Sequence, residues 1–293
     1  MTQAFAHSLY DPLPQSYFQF KLSWDPTALF FLMMGYLYFV GLKSFKSKIL
    51  LRKWQVYCFY FGIACNIAVL VPPVDTLADR LFSFHMIQHM TIMMIGVPLI
   101  IFGAPLFVIS RGLGPIPRRY ILFPMLKNKF LKSLLTTMSI PLVAVMFLSL
   151  NLWFWHLPRF YNWALLNDVF HGIEHALFAI SSIFLWRNVI DSYPLRLKNP
   201  MKYRVLCLVG SMVNTVALAA YLTFQKTTLY AHEGVPLPTW WVNKWTHLDD
   251  QRFGGLIMWV VGGVLEFSYM AIIFYVWQLR EHKKDKNALE AVV

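Results

Sequence analysis

Seven predominantly apolar stretches dominate this 293-residue chain, at residues 27–42, 54–71, 84–109, 134–155, 168–190, 205–224 and 254–277. About 20 such residues in a helix cross the roughly 30 Å hydrocarbon core of a bilayer. A helix satisfies its own backbone hydrogen bonds there, where no water can. Composition agrees: 58% of the residues are hydrophobic and 14% charged, with a mean hydropathy of +0.51. Soluble domains run at about 45–50% apolar and about 25% charged. A disordered chain, a disulfide scaffold and an ordinary cytosolic enzyme are excluded. The expectation is an all-α integral membrane protein, a single domain of seven transmembrane helices over residues 1–293. The third stretch is long and holds Pro98, Gly103 and Pro105. Proline removes a donor and clashes one turn back, so a bend or break is expected near Pro98.

The basic residues set the orientation. Twenty of the 26 Lys and Arg fall on alternate connections: after the first stretch (Lys43 to Lys53), after the third (Arg111 to Lys132), around the end of the fifth (Arg187 to Arg204) and in the tail (Arg280 to Lys286). The positive-inside rule then puts the N-terminus outside and the C-terminus in the cytoplasm, which requires an odd number of spans. Residues 1–26 form an external segment and 279–293 a cytoplasmic tail. The net charge of +12 is an orientation signal and an attraction for anionic membrane lipid, not a nucleic-acid footprint. No cleavable signal peptide is expected, since no basic cluster opens the chain. Asp25 and Pro26 read as the N-cap and first residue of the first helix. Cys58, Cys65 and Cys207 belong to no metal or disulfide pattern and read as packing residues.

Of the nine histidines only His282 falls on the cytoplasmic side of this topology. His85 and His89 stand four apart at the start of the third stretch, and His171 and His175 repeat that spacing at the start of the fifth. Four residues bring two side chains onto one face of a helix. Glu174 lies between the second pair. His156 closes the fourth stretch, and Met93 continues the face of the first pair. Two such pairs at one depth form a metal-ligand pattern. Imidazole suits copper, zinc, iron and nickel, and a thioether biases the choice toward Cu(I), with Cu(II) open to the imidazoles. The bland reading has these rings lining a polar vestibule or bonding between helices. Met86, Met90 and Met94 form a second stripe, read as packing.

Asp249 and Asp250 precede the last stretch. They suit a helix N-terminus, or they orient a ligand histidine from behind, as Glu174 also would. Glu266 lies mid-span, where a carboxylate is costly and a functional candidate. Phosphate-loop, nucleophile-elbow, zincin and haem-attachment motifs are absent, and the chain reads as a non-enzyme.

Four strings together resemble a known family. They are His85-Met86-Ile87-Gln88-His89-Met90, then Trp155-His156-Leu157-Pro158-Arg159-Phe160-Tyr161, then His171-Gly172-Ile173-Glu174-His175, and last Asp250-Gln251-Arg252-Phe253-Gly254-Gly255-Leu256-Ile257-Met258-Trp259. In this order, over about residues 80–265, they resemble the bacterial CtaG family, the seven-span cytochrome c oxidase assembly factors. The family pattern continues the glycine-rich part of the last span with a proline, where this chain has Val260, Val261, Gly262 and Gly263. The resemblance implies a multi-pass protein of the bacterial cytoplasmic membrane that matures a haem-copper oxidase. It also implies supply of copper on the outer side, with oxidase subunits as partners; homo-oligomer formation stays open. The residues taken alone leave two rivals, a haem-binding or haem-modifying membrane protein and a metal transporter.

Overall fold

The computed structural model describes residues 25, 27–45, 51–190, 199–230 and 245–290, with side chains as far as 282. Every regular element among them is helical. Helix α1 is Thr27–Lys43, α2 is Lys53–Val69 and the short α3 is Val74–Ala78. Helix α4 is Phe82–Phe102 and α5 is Pro105–Gly112. Short helical turns fill 115–127. Then come α6 (Lys129–Met138), α7 (Pro141–Trp155), α8 (Pro158–Leu165), α9 (Asp168–Val189), α10 (Met201–Thr223) and α11 (His247–His282).

Among the described residues, four helices, α4, α9, α10 and α11, are long and apolar enough to cross a membrane. The α6–α7 pair makes a fifth if it is one span. Helices α1 and α2, at 17 residues each, are shorter than the other candidates. The expected fourth span, 134–155, is not one straight helix, because α6 and α7 meet at 82°. Ile140 is extended, with ψ 128°, the conformation favoured before a proline. Pro141 then opens α7. Residues 1–24 and 26 of the expected external segment, the loop carrying His232, and Lys46, Lys48, Arg196 and Lys198 lie outside the described residues.

Helix α4 is the axis of the bundle. Its most apolar window is 72% buried, against 39% for α9 and for α10 and 17% for α11. It packs on α2, α3, α9 and α11. The outer helices carry their apolar excess on the surface: Leu29, Phe30, Leu150, Val213, Val264 and Phe267 are all exposed, as residues facing lipid tails are.

The third span corrects the expectation of a break at Pro98. The helix passes through Pro98 and stops at Phe102; Ala104 takes left-handed angles (φ 51°, ψ 53°) and α5 begins anew. What absorbs the proline is a π turn over Thr91–Gly96. Val97 donates to Ile92, five residues back, which leaves the Met93 carbonyl free of it. Pro98 has no N–H to offer Met93 or Met94. Both carbonyls are taken up by neighbouring helices. Ser182 Oγ and Trp186 Nε1 donate to Met93 O at 2.8 and 2.7 Å, and Tyr269 Oη donates to Met94 O at 2.9 Å. At the helix end, Gln55 Nε2 donates to Phe102 O at 3.0 Å and Tyr38 Oη to Gly103 O at 2.8 Å. Pro98 thus fastens α4 to α9 and α11 within a helix that stays continuous.

Candidate metal centre

The start of α4 is fixed from outside its own sequence. Asp250 of α11 accepts from Phe82 N at 2.6 Å and from Ser83 Oγ at 2.5 Å, so a carboxylate from a neighbouring helix serves as the N-terminal cap. Gly254, one turn further along α11, makes this approach feasible. A Cβ there would lie 2.4 Å from the Phe82 ring. On another face of α4, Gln88 Nε2 donates to Asp75 Oδ1 and to Val69 O, both at 2.8 Å. Burial, reinforced by the charges of Asp79 and Asp25, pushes the Asp75 carboxyl up to about 8, so a neutral acid accepts that bond at pH 7.

With α4 held this way, both histidine pairs face one chamber. The i, i+4 spacing puts the ring centroids of His85 and His89 4.2 Å apart, and those of His171 and His175 4.3 Å apart. Across the helices, His85 stacks on His171 at 5.3 Å and His89 meets His175 edge-on at 5.1 Å. Glu174 enters from α9, its Oε1 at 3.6 Å from His85 Nε2 and 3.7 Å from His89 Nε2. These separations are too long for good hydrogen bonds. They match the roughly 3–4 Å between two ligands on one ion when each bond is about 2 Å. His85, His89, Glu174 and His175 are each no more than 2% exposed, and His171 is half-buried at the edge. Phe178 closes the inner side at 4.5 Å from His89, and Tyr161 stands 5.0 Å from His85.

Among the described residues, the ring nitrogens of His85 and His89, Nε2 of His171 and of His175, and both oxygens of Glu174 are buried and find no hydrogen-bond partner. Leaving one buried polar atom unmet costs about 1–3 kcal/mol, and a cluster of them on one centre offers donors that could hold a cation. Ligand atoms of His85, His171 and Glu174 lie within 4.8 Å of one another. So do those of Asp25, His171 and His175, which makes His171 common to both sets.

Asp25 is the member that sequence reasoning read only as a cap. It is the cap: Oδ1 accepts from Thr27 N and Oγ1, both at 2.7 Å. Its other oxygen meets His175 Nδ1 at 2.5 Å. That contact turns His175 Nε2 toward the chamber, the carboxylate–histidine arrangement that orients metal ligands. No local pattern signals it.

The remaining candidates are distributed differently. His156 makes two contacts of its own: its Nδ1 meets Leu152 O at 2.7 Å and its Nε2 meets Met86 Sδ at 3.5 Å. Met93 is buried and engages α9 through its carbonyl. Asp249 closes a capping box with Thr246, accepting from Thr246 N at 3.0 Å. Glu266 accepts from Ser211 of α10, an interhelical bond far along α11 from the chamber.

A family model described as cytochrome c oxidase caa3 assembly factor matches residues 28–280. No curated protein and no solved structure matches the chain. The four motif strings, both histidine pairs and the Asp250 cap all fall inside the matched region. The chain belongs to the cytochrome c oxidase caa3 assembly factor family.

Proposed function

We propose that this protein binds copper as cargo in the chamber formed by His85, His89, His171, His175 and Glu174, and passes it to a cytochrome c oxidase under assembly. The observation that carries the reading is the convergence of unpartnered imidazole nitrogens and carboxylate oxygens on one buried centre. Imidazole with one carboxylate accepts copper in either oxidation state as well as zinc. Membership of an oxidase assembly family favours copper among these. Four imidazoles crowded at centroid separations of 4.2–6.3 Å around one carboxylate suit a bare ion better than a broad planar porphyrin, which counts against the haem reading.

The alternating basic connections support a topology of seven spans in the bacterial cytoplasmic membrane, N-terminus outside and C-terminus inside. That orientation puts the chamber toward the outer face, and the protein acts by binding and release without catalysing a reaction. The test is metal analysis of purified protein together with its optical spectrum. Copper at stoichiometric level, lost in His89→Ala, is expected. A Soret band, or wild-type protein that takes up no copper from a buffered solution, would overturn the reading.

A further inference from the structure

We infer that His156 Nε2 and Met86 Sδ form a second site beside the chamber, for a soft monovalent cation of the Cu(I) or Ag(I) type. His156 Nδ1 stands 2.7 Å from the Leu152 carbonyl. A carbonyl only accepts, so Nδ1 carries the proton and the neutral ring presents a bare lone pair at Nε2. That lone pair faces a thioether sulfur at 3.5 Å, which also carries lone pairs and no proton. Two electron donors that face each other with no proton between them can share a cation held to one side of the line joining them. With bonds of about 2.0 Å to nitrogen and about 2.3 Å to sulfur, the 3.5 Å separation spans one ion at roughly a tetrahedral angle.

Both ligands are held in place. His156 is 3% and Met86 1% exposed. Tyr230 Oη donates to His156 O at 3.0 Å, fixing the backbone at the end of α7. Gly254 presents no side chain to Met86; a Cβ there would press on Met86 Cγ at 3.2 Å. The pair is distinct from the chamber but adjoins it. Met86 follows His85 directly on α4, and the Phe178 ring stands between His89, at 4.5 Å, and His156, at 6.4 Å. The chemistry differs as well. The chamber offers nitrogen and oxygen, whereas the pair offers nitrogen and sulfur, which discriminates for Cu(I) against Zn(II) and Cu(II). In this proposal Met86, which the sequence suggests as a packing residue, supplies the thioether, and Met93 does not.

X-ray absorption on the full-length protein in detergent, loaded with Cu(I), tests the proposal. The wild type is expected to show a sulfur scatterer at about 2.3 Å. Met86→Leu, close to volume-conserving, should lose it and weaken Cu(I) binding by at least about tenfold. Zn(II) binding, which reports the chamber alone, should stay unchanged in Met86→Leu and in Met93→Leu, and Met93→Leu should keep the sulfur scatterer. A wild-type spectrum without sulfur overturns the proposal, as does a sulfur signal that survives Met86→Leu or disappears in Met93→Leu. If Met86→Leu fails to fold, wild-type protein carrying 13C-methyl methionine gives a second reading. One methionine resonance, that of Met86 by its proximity to His156, should shift with the first equivalent of Ag(I); no shift overturns the proposal. Loss of Zn(II) binding in the wild type would count against the chamber and leave the soft site standing.

Discussion

Asp25 Oδ2 and His175 Nδ1 stand 2.5 Å apart across 150 positions of sequence. The contact joins the start of α1 to the second histidine pair, and one carboxylate does two jobs. Asp25→Asn keeps an oxygen for Thr27 but removes the charge facing His175. Metal affinity should fall by about 10–100-fold with little loss of stability. Asp25→Ala loses the cap as well and should cost about 1 kcal/mol more. Competition titration and thermal melting of both variants check this. Equal affinity in wild type and Asp25→Asn would reduce the contact to a structural one.

The two histidine pairs act as one unit if they share an ion. His89→Ala and His175→Ala should each weaken copper binding by about two orders of magnitude, and the double variant should add little, because residues serving one site are not additive. Losses that sum fully would describe two independent sites.

Asp250 acts on the site through α4. Its oxygens cap Phe82 N and Ser83 Oγ, so Asp250→Ala strands a buried N–H and should destabilise the fold by about 1–3 kcal/mol. Asp250→Asn should cost less, since one oxygen remains. Thermal melting in detergent measures both; a neutral Asp250→Ala would show that the cap contributes nothing to α4.

Asp75 gives a pH signature. Its carboxyl is pushed up to about 8 by burial and by nearby Asp79 and Asp25, above the ordinary value near 4 that it regains on unfolding. The folded state therefore holds a proton that the unfolded chain has released. This contribution is complete below about pH 4 and is lost as pH rises toward 8. Asp75→Asn cannot ionise and keeps an amide oxygen for Gln88. Wild type should lose stability relative to this variant by up to about 1.4 kcal/mol per pH unit between pH 5 and 8. Parallel melting curves across that range would refute it.

The topology is tested by reporters. A fusion after Val293 should read as cytoplasmic and one placed at His232 as external. Either site reading the opposite way would reverse the assignment of the chamber to the outer face.

What the sequence determined about this protein is what local spacing and composition can encode. Apolar runs specified helices because a long run in lipid must bond within itself. The spacing of His85 with His89, and of His171 with His175, specified that each pair shares a face, because the helix repeat converts four residues into one turn. Tertiary structure decided everything that rests on contacts between distant segments. The 82° corner before Pro141 cut a predicted span in two, and the π turn before Pro98 turned an expected break into two interhelical anchors. The partner of His175 proved to be Asp25, the cap of α4 came from Asp250, and the neighbour of His156 Nε2 proved to be Met86. None of these has a sequence period. Each depends on which faces the bundle brings together, and that is set by the packing of all the helices at once, with no pair of neighbouring residues able to specify it.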